Sequence, residues 1–394
     1  MRLRKLLLLL LAPALLALGI FLGGHPDTLP GPVRDGLVGD DDVQVVREAL
    51  DTVRDSYYRP LKGDELRDAA IVGMVESLDD PFSAYFDPQE YARFQQAQNS
   101  EFQGVGLTVN EHADGLRVVE VFEDAPAARA GIKPGDVIVA AAGKRLAGRS
   151  QAQSVALIKG PAGTSVRLRV RRGDARPRTL EVKRETISIP VVDSALRRVD
   201  GRRLGVVHLA TFSSGAHAEL YDAIRTLRRK KIEGLVLDLR GNGGGLVTEA
   251  RLVASAFLDG GAIVTTKGRS VAERTLRATG EPVAPRLPLV VLVDGGTASA
   301  SEIVAGALID RKRATLVGTR TFGKGVFQQV LELSNGGALD LTAGQYFTPS
   351  GRNLGGKGTA KGKGLKPRVR AEDDPETRPD EGLRRALEVL AARS

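Results

Sequence analysis

The sequence contains no cysteine and no tryptophan, only four histidines and two methionines, and aromatic residues make up 4% of its 394 positions. Without cysteine there is no disulfide framework, no thiol nucleophile and no Cys-ligated zinc or iron–sulfur site. The scarcity of aromatics leaves few stacking platforms for single-stranded nucleic acid. The formal charge is +9, but Arg2, Arg4 and Lys5 stand ahead of an apolar run. The modest positive remainder is a weak basis for nucleic-acid binding, and no nucleic-acid partner is expected. His25 falls in a Pro/Gly-rich stretch, which leaves His112, His208 and His217 as candidate bases. There is no HExxH pattern and no His/Cys cluster, so neither a metal nor another cofactor is expected.

Glycine, by contrast, is abundant at 46 residues, about 12% against the roughly 7% usual in globular chains. Many tight turns and close backbone approaches follow. The first residues, MRLRK, precede 17 uncharged and almost wholly apolar residues from Leu6 to Leu22. This length lies between a signal-peptide core of about 7–15 residues and a spanning helix of about 20. Residues 1–24 are therefore read as a signal peptide or an N-terminal membrane anchor, and the remainder is expected to work outside the cytoplasm, in the cell envelope or periplasm. Residues 25–39 hold three prolines and three glycines and read as a linker.

From Asp40 the pattern becomes helical. Val46, Ala49, Leu50, Val53 and Tyr57 share one face, and Leu66, Ala70, Met74 and Leu78 form a second stripe. The segment DDPFSAYFDPQEY (79–91) turns twice at proline and opens a short polar helix. From Gln103 strands take over, with Asp114-Gly115 as a hairpin signal. A short Ala-rich helix stopped by Gly131, a Lys-Pro-Gly-Asp turn, an amphipathic helix over 150–160 and a last hairpin complete a small unit over 102–186. Its Gly104-Val105-Gly106-Leu107 loop and its AGIKPGDVI segment resemble a PDZ domain. A glycine loop offers backbone N–H groups to a terminal carboxylate, and the adjoining strand edge pairs with a peptide backbone. Gly104, Val105, Gly106 and Leu107 are the expected substrate-binding residues, although the two glycines would also suit a tight strand entry.

Residues 204–294 alternate strand and helix, which predicts an α/β sheet with at least partly parallel strands. Catalytic groups in such sheets favour the carboxyl ends of strands. Gly241 to Gly245 looks like the nucleophile loop of trypsin-like proteases but has no hydroxyl at position 243. GTRTFGKG (318–325) begins like a phosphate-binding loop, yet it carries Gly325 where Mg²⁺ needs Ser or Thr and runs into VFQQVLEL, which reads as strand. In LPLVVLVDGGTASASEIVAGALID (287–310) an apolar strand ends at Asp294 and a small-residue helix starts near Ser299. Ser299 and Glu302 fit a capping box. The small residues around Ser299 also leave space for an exposed nucleophile at a strand-to-helix turn. A serine without histidine needs another base, and a desolvated lysine can serve. Lys324, between two glycines, is the candidate, and Gln328 falls on its side in either strand or helix.

DPFSAYFDPQEY, the PDZ-like unit, DLRGNGGGLV, GTASASEIVAGAL, GTRTFGKGVFQ and YFTPSGR stand in an order that closely resembles the carboxyl-terminal processing peptidases, or tail-specific proteases, over about residues 40–371. The resemblance implies a multi-domain α/β fold: a protease core with an inserted PDZ-like domain and helical N- and C-terminal segments. The expected domains are the export segment 1–24, a linker and helical region 25–101, the PDZ-like domain 102–186, the serine protease core 187–371 and a helical tail 372–394. It implies a Ser–Lys dyad on Ser299 and Lys324 with Gln328 in support. Ser301 is the rival nucleophile, but the family pattern puts the nucleophile first in Ser-Ala-Ser-Glu. The backbone amides of Ala300 and Gly244 are the implied oxyanion donors.

The loop 241–245 reads Gly-Asn-Gly-Gly-Gly where the family often has Asn-Asn-Pro-Gly-Gly, and the added glycines predict a looser loop. The Gly/Lys-rich stretch 355–364 also looks longer than the family's usual link. The expected function is that of an exported endopeptidase acting on proteins with apolar C-termini. An activating adaptor, membrane attachment through residues 6–22 and a homodimer through 40–58 and 381–392 stay open. The competing reading is a PDZ-containing binding scaffold whose protease domain is inactive or gated by a partner.

Overall fold

The computed structural model describes residues 41–356, 362–373 and 380–393. The export segment, the linker 25–39 and the middle of the 355–364 stretch lie outside these residues. The chain divides into two compact units between Leu78 and Asp79. In the first, the two apolar stripes form helices α1 (Asp41–Ser56) and α2 (Gly63–Glu76). Val46, Val53, Met74 and Leu78 nevertheless remain exposed. The 3.6-residue spacing specifies a helix, whereas burial of its stripe depends on a partner surface.

The second unit opens with a short strand that periodicity does not reveal, β1 (Ala84–Phe86), and with helix α3 (Pro88–Gln98). Asp87 and Glu90 form a reciprocal capping box at the start of α3. The chain then runs through β2 (Glu101–Gly104), β3 (Leu107–His112), β4 (Gly115–Val121), the single turn α4 (Pro126–Arg129), β5 (Val137–Ala141), β6 (Lys144–Arg145), α5 (Gln151–Ile158), β7 (Ser165–Arg171), β8 (Arg178–Lys183) and β9 (Glu185–Ser188). The small sheet has the order β3-β4-β5-β7-β8, with β6 beside β5. Alternation is clean on β7, where Val166, Leu168 and Val170 point into the small core and Arg167 and Arg169 point out. Entry and exit strands β2 and β9 pair with each other, Phe102 opposite Ile187. This pairing brings the two ends of the inserted unit together.

The larger α/β core follows as β10 (Val192–Val199), β11 (Arg202–Leu209), α6 (Ala216–Arg229), β12 (Gly234–Asp238), α7 (Val247–Ser255), β13 (Ala262–Gly268), β14 (Arg274–Arg277), β15 (Leu289–Val293), α8 (Ala300–Asp310), β16 (Thr315–Gly318), β17 (Val326–Glu332), β18 (Ala338–Phe347), β19 (Val369–Arg370) and α9 (Glu381–Ala391). Six strands make the main sheet in the order β10-β11-β12-β15-β16-β19, parallel from β11 onward. Strands β12 and β15 are buried along their whole length, as expected of parallel strands covered on both faces. On one face Leu235, Leu237, Val291 and Val293 pack with α6, α7 and α8. On the other, Val236, Val290 and Leu292 meet Leu387 and Leu390 of α9. The C-terminal helix thus docks on its own chain.

A second sheet is built around β18. Its first half lies between β1 and β17, Asp340 facing both Ala84 and Val330, and its second half pairs with β13. The α9 contact is close: a Cβ on Gly234 would sit 2.8 Å from Leu390 Cδ1. Leu390 is fully buried, so Leu390→Ala is expected to cost roughly 2–5 kcal/mol of stability. Denaturant unfolding should show a lower midpoint at unchanged slope; a midpoint equal to wild type would contradict this packing.

Candidate active site

Parallel neighbours β12 and β15 end side by side, and the loops that leave their carboxyl ends form the site. The loop after β12 is tied down. Gly241 N–H donates to Asp294 Oδ1 at 2.9 Å. Asn242 is fully buried, donates from Nδ2 to Leu209 O at 2.8 Å and accepts Gly244 N–H on Oδ1 at 2.9 Å. Its carbonyl receives the N–H of Ala298 and the hydroxyl of Ser301. Against the looseness expected from its glycines stand the hydrogen bonds of Asn242 and Asp294, which tie the loop to its neighbours. Just ahead, Arg240 is gripped by Asp238, Asp373 and Asp380, which hold the guanidinium charged in spite of its burial. Gly244 has φ +109°, and a Cβ there would lie 2.8 Å from Ser299 Cβ. Only glycine allows that approach.

Ser299 sits at the turn from β15 to α8 with φ 56° and ψ −117°. Such a conformation costs a non-glycine residue on the order of 1–3 kcal/mol and persists only where its surroundings enforce it. The two serines differ plainly: Ser299 is partly exposed, whereas Ser301 is fully buried with its hydroxyl donated to Asn242 O at 2.9 Å. Ala300 opens α8, so its N–H has no acceptor within the helix. Beneath Ser299 lies Tyr346, fully buried, its hydroxyl close to Ser299 but outside hydrogen-bonding geometry. Burial and the charge of Glu302 push the Tyr346 pKa up.

Glu302 joins the two halves of the site. Its Oε2 accepts the N–H of Ser299 at 3.0 Å and the N–H of Lys324 at 2.9 Å. Its Oε1 accepts Gly323 N–H at 2.8 Å and the hydroxyl of Thr321. Burial raises the Glu302 pKa, and these four donors oppose that effect. In sequence Glu302 reads only as a helix cap, because three of its four donors come from a loop some twenty residues later.

Lys324 precedes β17. Its Nζ donates to Gln328 Oε1 at 2.7 Å and lies 4.7 Å from the centre of the Phe82 ring. Burial lowers the Lys324 pKa, while the carboxylates of Asp340 and Asp80 pull it upward. The structure brings Ser299, Ala300 and Gly244 into contact on one side and Lys324 and Gln328 on the other. Among the described residues Lys324 Nζ donates to Gln328 and not to Ser299, and the Gly244 N–H is taken by Asn242. The described histidines lie elsewhere: His112 at the end of β3, His217 paired with Glu249 at 2.8 Å, and His208 on β11.

Away from this centre, the Gly104–Leu107 segment forms the passage from β2 into β3. Gly106 has φ +79°, and a Cβ there would stand 2.2 Å from Ala125 Cβ. The turn is tight, and among the described residues the N–H groups of Val105 and Gly106 make no backbone bond. Strand β3 is the edge of its sheet, and between it and α5 lies an apolar hollow of about 40 Å³ floored by Leu107, Val109, Val155 and Ile158.

Replacing Glu302 by Gln puts an amide NH₂ against backbone donors that it cannot accept. Glu302→Gln is expected to lose roughly 1–3 kcal/mol of stability together with most hydrolytic activity, read by unfolding midpoint and turnover of an unfolded protein. Wild-type values of both would refute this role.

Residues 203–367 match the family model of peptidase family S41, residues 104–183 that of the PDZ domain, and residues 33–90 that of the activating protease CtpB N-terminal domain. The carboxy-terminal processing protease CtpA of Bacillus subtilis is 35% identical over 357 residues, covering 90% of this chain and 74% of that protein. The carboxy-terminal-processing protease of Bartonella bacilliformis is 38% identical over 317 residues, covering 79% and 72%. Among solved structures, the photosystem II D1 C-terminal processing protease is similar with a TM-score of 0.51 at 32% identity, covering 89% of this chain and 91% of that one. The strained serine turn, the desolvated lysine and the inserted small domain thus have a common setting. This chain belongs to peptidase family S41 and is a serine-type carboxy-terminal processing protease that carries a PDZ domain.

Proposed function

We propose that this protease captures proteins by their C-terminal tails in the groove between β3 and α5 and cleaves peptide bonds with Ser299 as nucleophile and Lys324 as base. One observation carries the proposal: the strained Ser299 turn and the Lys324 loop hang from the same oxygen of the buried Glu302, while the lysine amine is desolvated. Ser299 Oγ attacks the peptide carbonyl, and Lys324 takes the hydroxyl proton and returns it to the leaving amine. A water then releases the acyl-enzyme by the same route. Ala300 N–H meets the oxyanion, joined by Gly244 N–H once it leaves Asn242.

The tail groove is small and apolar, which favours a free, apolar C-terminus. A cleft of about 1050 Å³ runs between β9–β10 and the small domain and reaches Ala210. Two residues on, Phe212 N–H donates to Gly244 O at 2.9 Å. The cleft gives a bound substrate a way from the small domain toward the Ser299 side. The gated form of the reading is supported by the hydrogen bond of Gly244 to Asn242, which occupies an N–H that the oxyanion needs. Substrate or an adaptor would complete the site. The exposed apolar residues of α1 and α2 support a partner surface on that unit, and the apolar segment 6–22 supports work in the cell envelope.

Turnover of an unstructured protein with an apolar C-terminus tests this reading. Ser299→Ala and Lys324→Ala should lose at least about a hundredfold in kcat, and Ser301→Ala should retain turnover. Lysine is the base only when neutral, so activity should fall as pH drops through its lowered pKa and level off above it. Activity kept in Lys324→Ala, or flat into acid, would sink the dyad.

A further inference from the structure

The sheet of the small domain carries charge that neither tail capture nor peptide cleavage uses. On β7 the small core takes Val166, Leu168 and Val170, and the residues between them point away. Arg167 faces Glu181 of β8 across the pair, whereas Arg169 faces Thr179 on that side and Ala140 of β5 on the other. Ala140 in turn stands opposite Arg145 of β6. Directly opposed residues share a face of a sheet, so Arg145, Ala140 and Arg169 form one row in which a methyl group separates two guanidinium side chains. With strands about 4.8 Å apart, the two arginine Cα atoms lie about 10 Å from each other. The row borders a hollow of about 310 Å³ lined by Arg145, Arg169, Arg171 and Asp114 together with small residues, among them Ala140 and Ala147.

The charges of this hollow do not balance. Arg171 Nη2 donates to Asp114 Oδ2 at 2.6 Å, which holds the Asp114 carboxyl below its usual pKa range and uses the one acid of the hollow. Arg171 Nε is buried and has no acceptor among the described residues. A buried donor of this kind calls for a partner. Among the described residues the guanidiniums of Arg145 and Arg169 make no hydrogen bond or ion pair. Three permanent cations against one carboxylate leave two positive charges unanswered, at separations over which salt screens them only in part.

We propose that this hollow binds phosphate, as the free anion or as a phosphate ester. The donor set selects that chemistry. A planar carboxylate has two oxygens and is filled by one guanidinium fork, whereas a tetrahedral phosphate presents oxygens in several directions. It can take Arg145 and Arg169 from opposite sides, with Arg171 Nε as a further donor. Ala140 leaves the space over which the two forks close. The volume stands at the lower end of the roughly 300–1,000 Å³ of small-molecule sites, enough for the anion and a short group esterified to it. A phospholipid headgroup and a soluble phosphate share this chemistry. The site has no residue in common with the lining of the β3–α5 groove and does not depend on the Ser–Lys reading.

The test compares the full chain with two double variants that remove equal charge, Arg145→Gln/Arg169→Gln in the hollow and Arg197→Gln/Arg198→Gln on the exposed side of β10. Binding of inorganic phosphate and of glycerol 3-phosphate is measured by calorimetry at constant ionic strength. Preference for phosphatidylglycerol over phosphatidylcholine vesicles is measured by flotation. At least one of these probes should bind wild type and the β10 variant alike and the hollow variant at least about tenfold more weakly. A loss confined to the calorimetric probes identifies a soluble phosphate as the ligand, and a loss of vesicle preference identifies a lipid headgroup. Tail-peptide binding and the unfolding midpoint should stay at wild-type values in the hollow variant. The proposal is overturned if no probe binds wild type, if the hollow variant binds as wild type does, or if its loss merely follows unfolding. Equal losses in both double variants also overturn it, because they mark general attraction to positive charge.

Discussion

A carboxylate removed from water must have its charge met by donors, or it carries a penalty of several kcal/mol. Glu302 is fully buried and meets that requirement with four: the N–H groups of Ser299, Gly323 and Lys324 and the hydroxyl of Thr321. The consequence is geometric. Two segments are held to one point, the turn that strains Ser299 and the loop that carries Lys324. Small residues make this possible: α8 is buried over Ala300 to Leu308 and approaches its neighbours so closely that a Cβ on Gly306 would lie 2.9 Å from Thr348 Cγ2.

The rest of the core serves that arrangement. Parallel pairing sets β12 and β15 in one register, so their exits lie together, and Asn242 and Asp294 bind the two exits to each other. α9 covers the far face of the sheet, and Asp373 and Asp380 reach from its approach to Arg240, next to the Gly241–Gly245 loop. The second sheet brings in the lysine side. There β17, β18 and the 79–83 segment surround the Lys324 amine with one ring, one amide and two carboxylates.

Much of this is legible in the sequence, for identifiable reasons. The buried runs GLVLD and LVVLV, the alternating SVRLRVR and the heptad-like stripe on α9 each carry a period that a local reading detects. The alternation of strand and helix over 204–294 is enough for the parallel sheet. Strand β1 is not legible, because three residues between two prolines hold no period. Glu302 shows only its local half, the cap of α8, since the donors from Thr321 to Lys324 meet it through tertiary folding. The hydrogen bonds that tie the Gly241–Gly245 loop are hidden for the same reason: glycine count measures freedom in an isolated chain, whereas Asn242 commits its side-chain amide and its carbonyl to the fold. The stripes of α1 and α2 specify helices on which Val46, Val53, Met74 and Leu78 nevertheless stay exposed.

The proposed catalysis depends on a serine, Ser299, made nucleophilic by a neutral lysine, Lys324. The most direct test is the rate at which a serine-reactive phosphonate probe labels the full chain as a function of pH, with the modified residue located by mass spectrometry. A neutral Lys324 predicts a single adduct on Ser299, formed faster as pH rises through one ionisation below the usual lysine range, and no adduct in Lys324→Ala. An adduct on Ser301, or labelling of Ser299 that ignores both pH and the loss of Lys324, would contradict it.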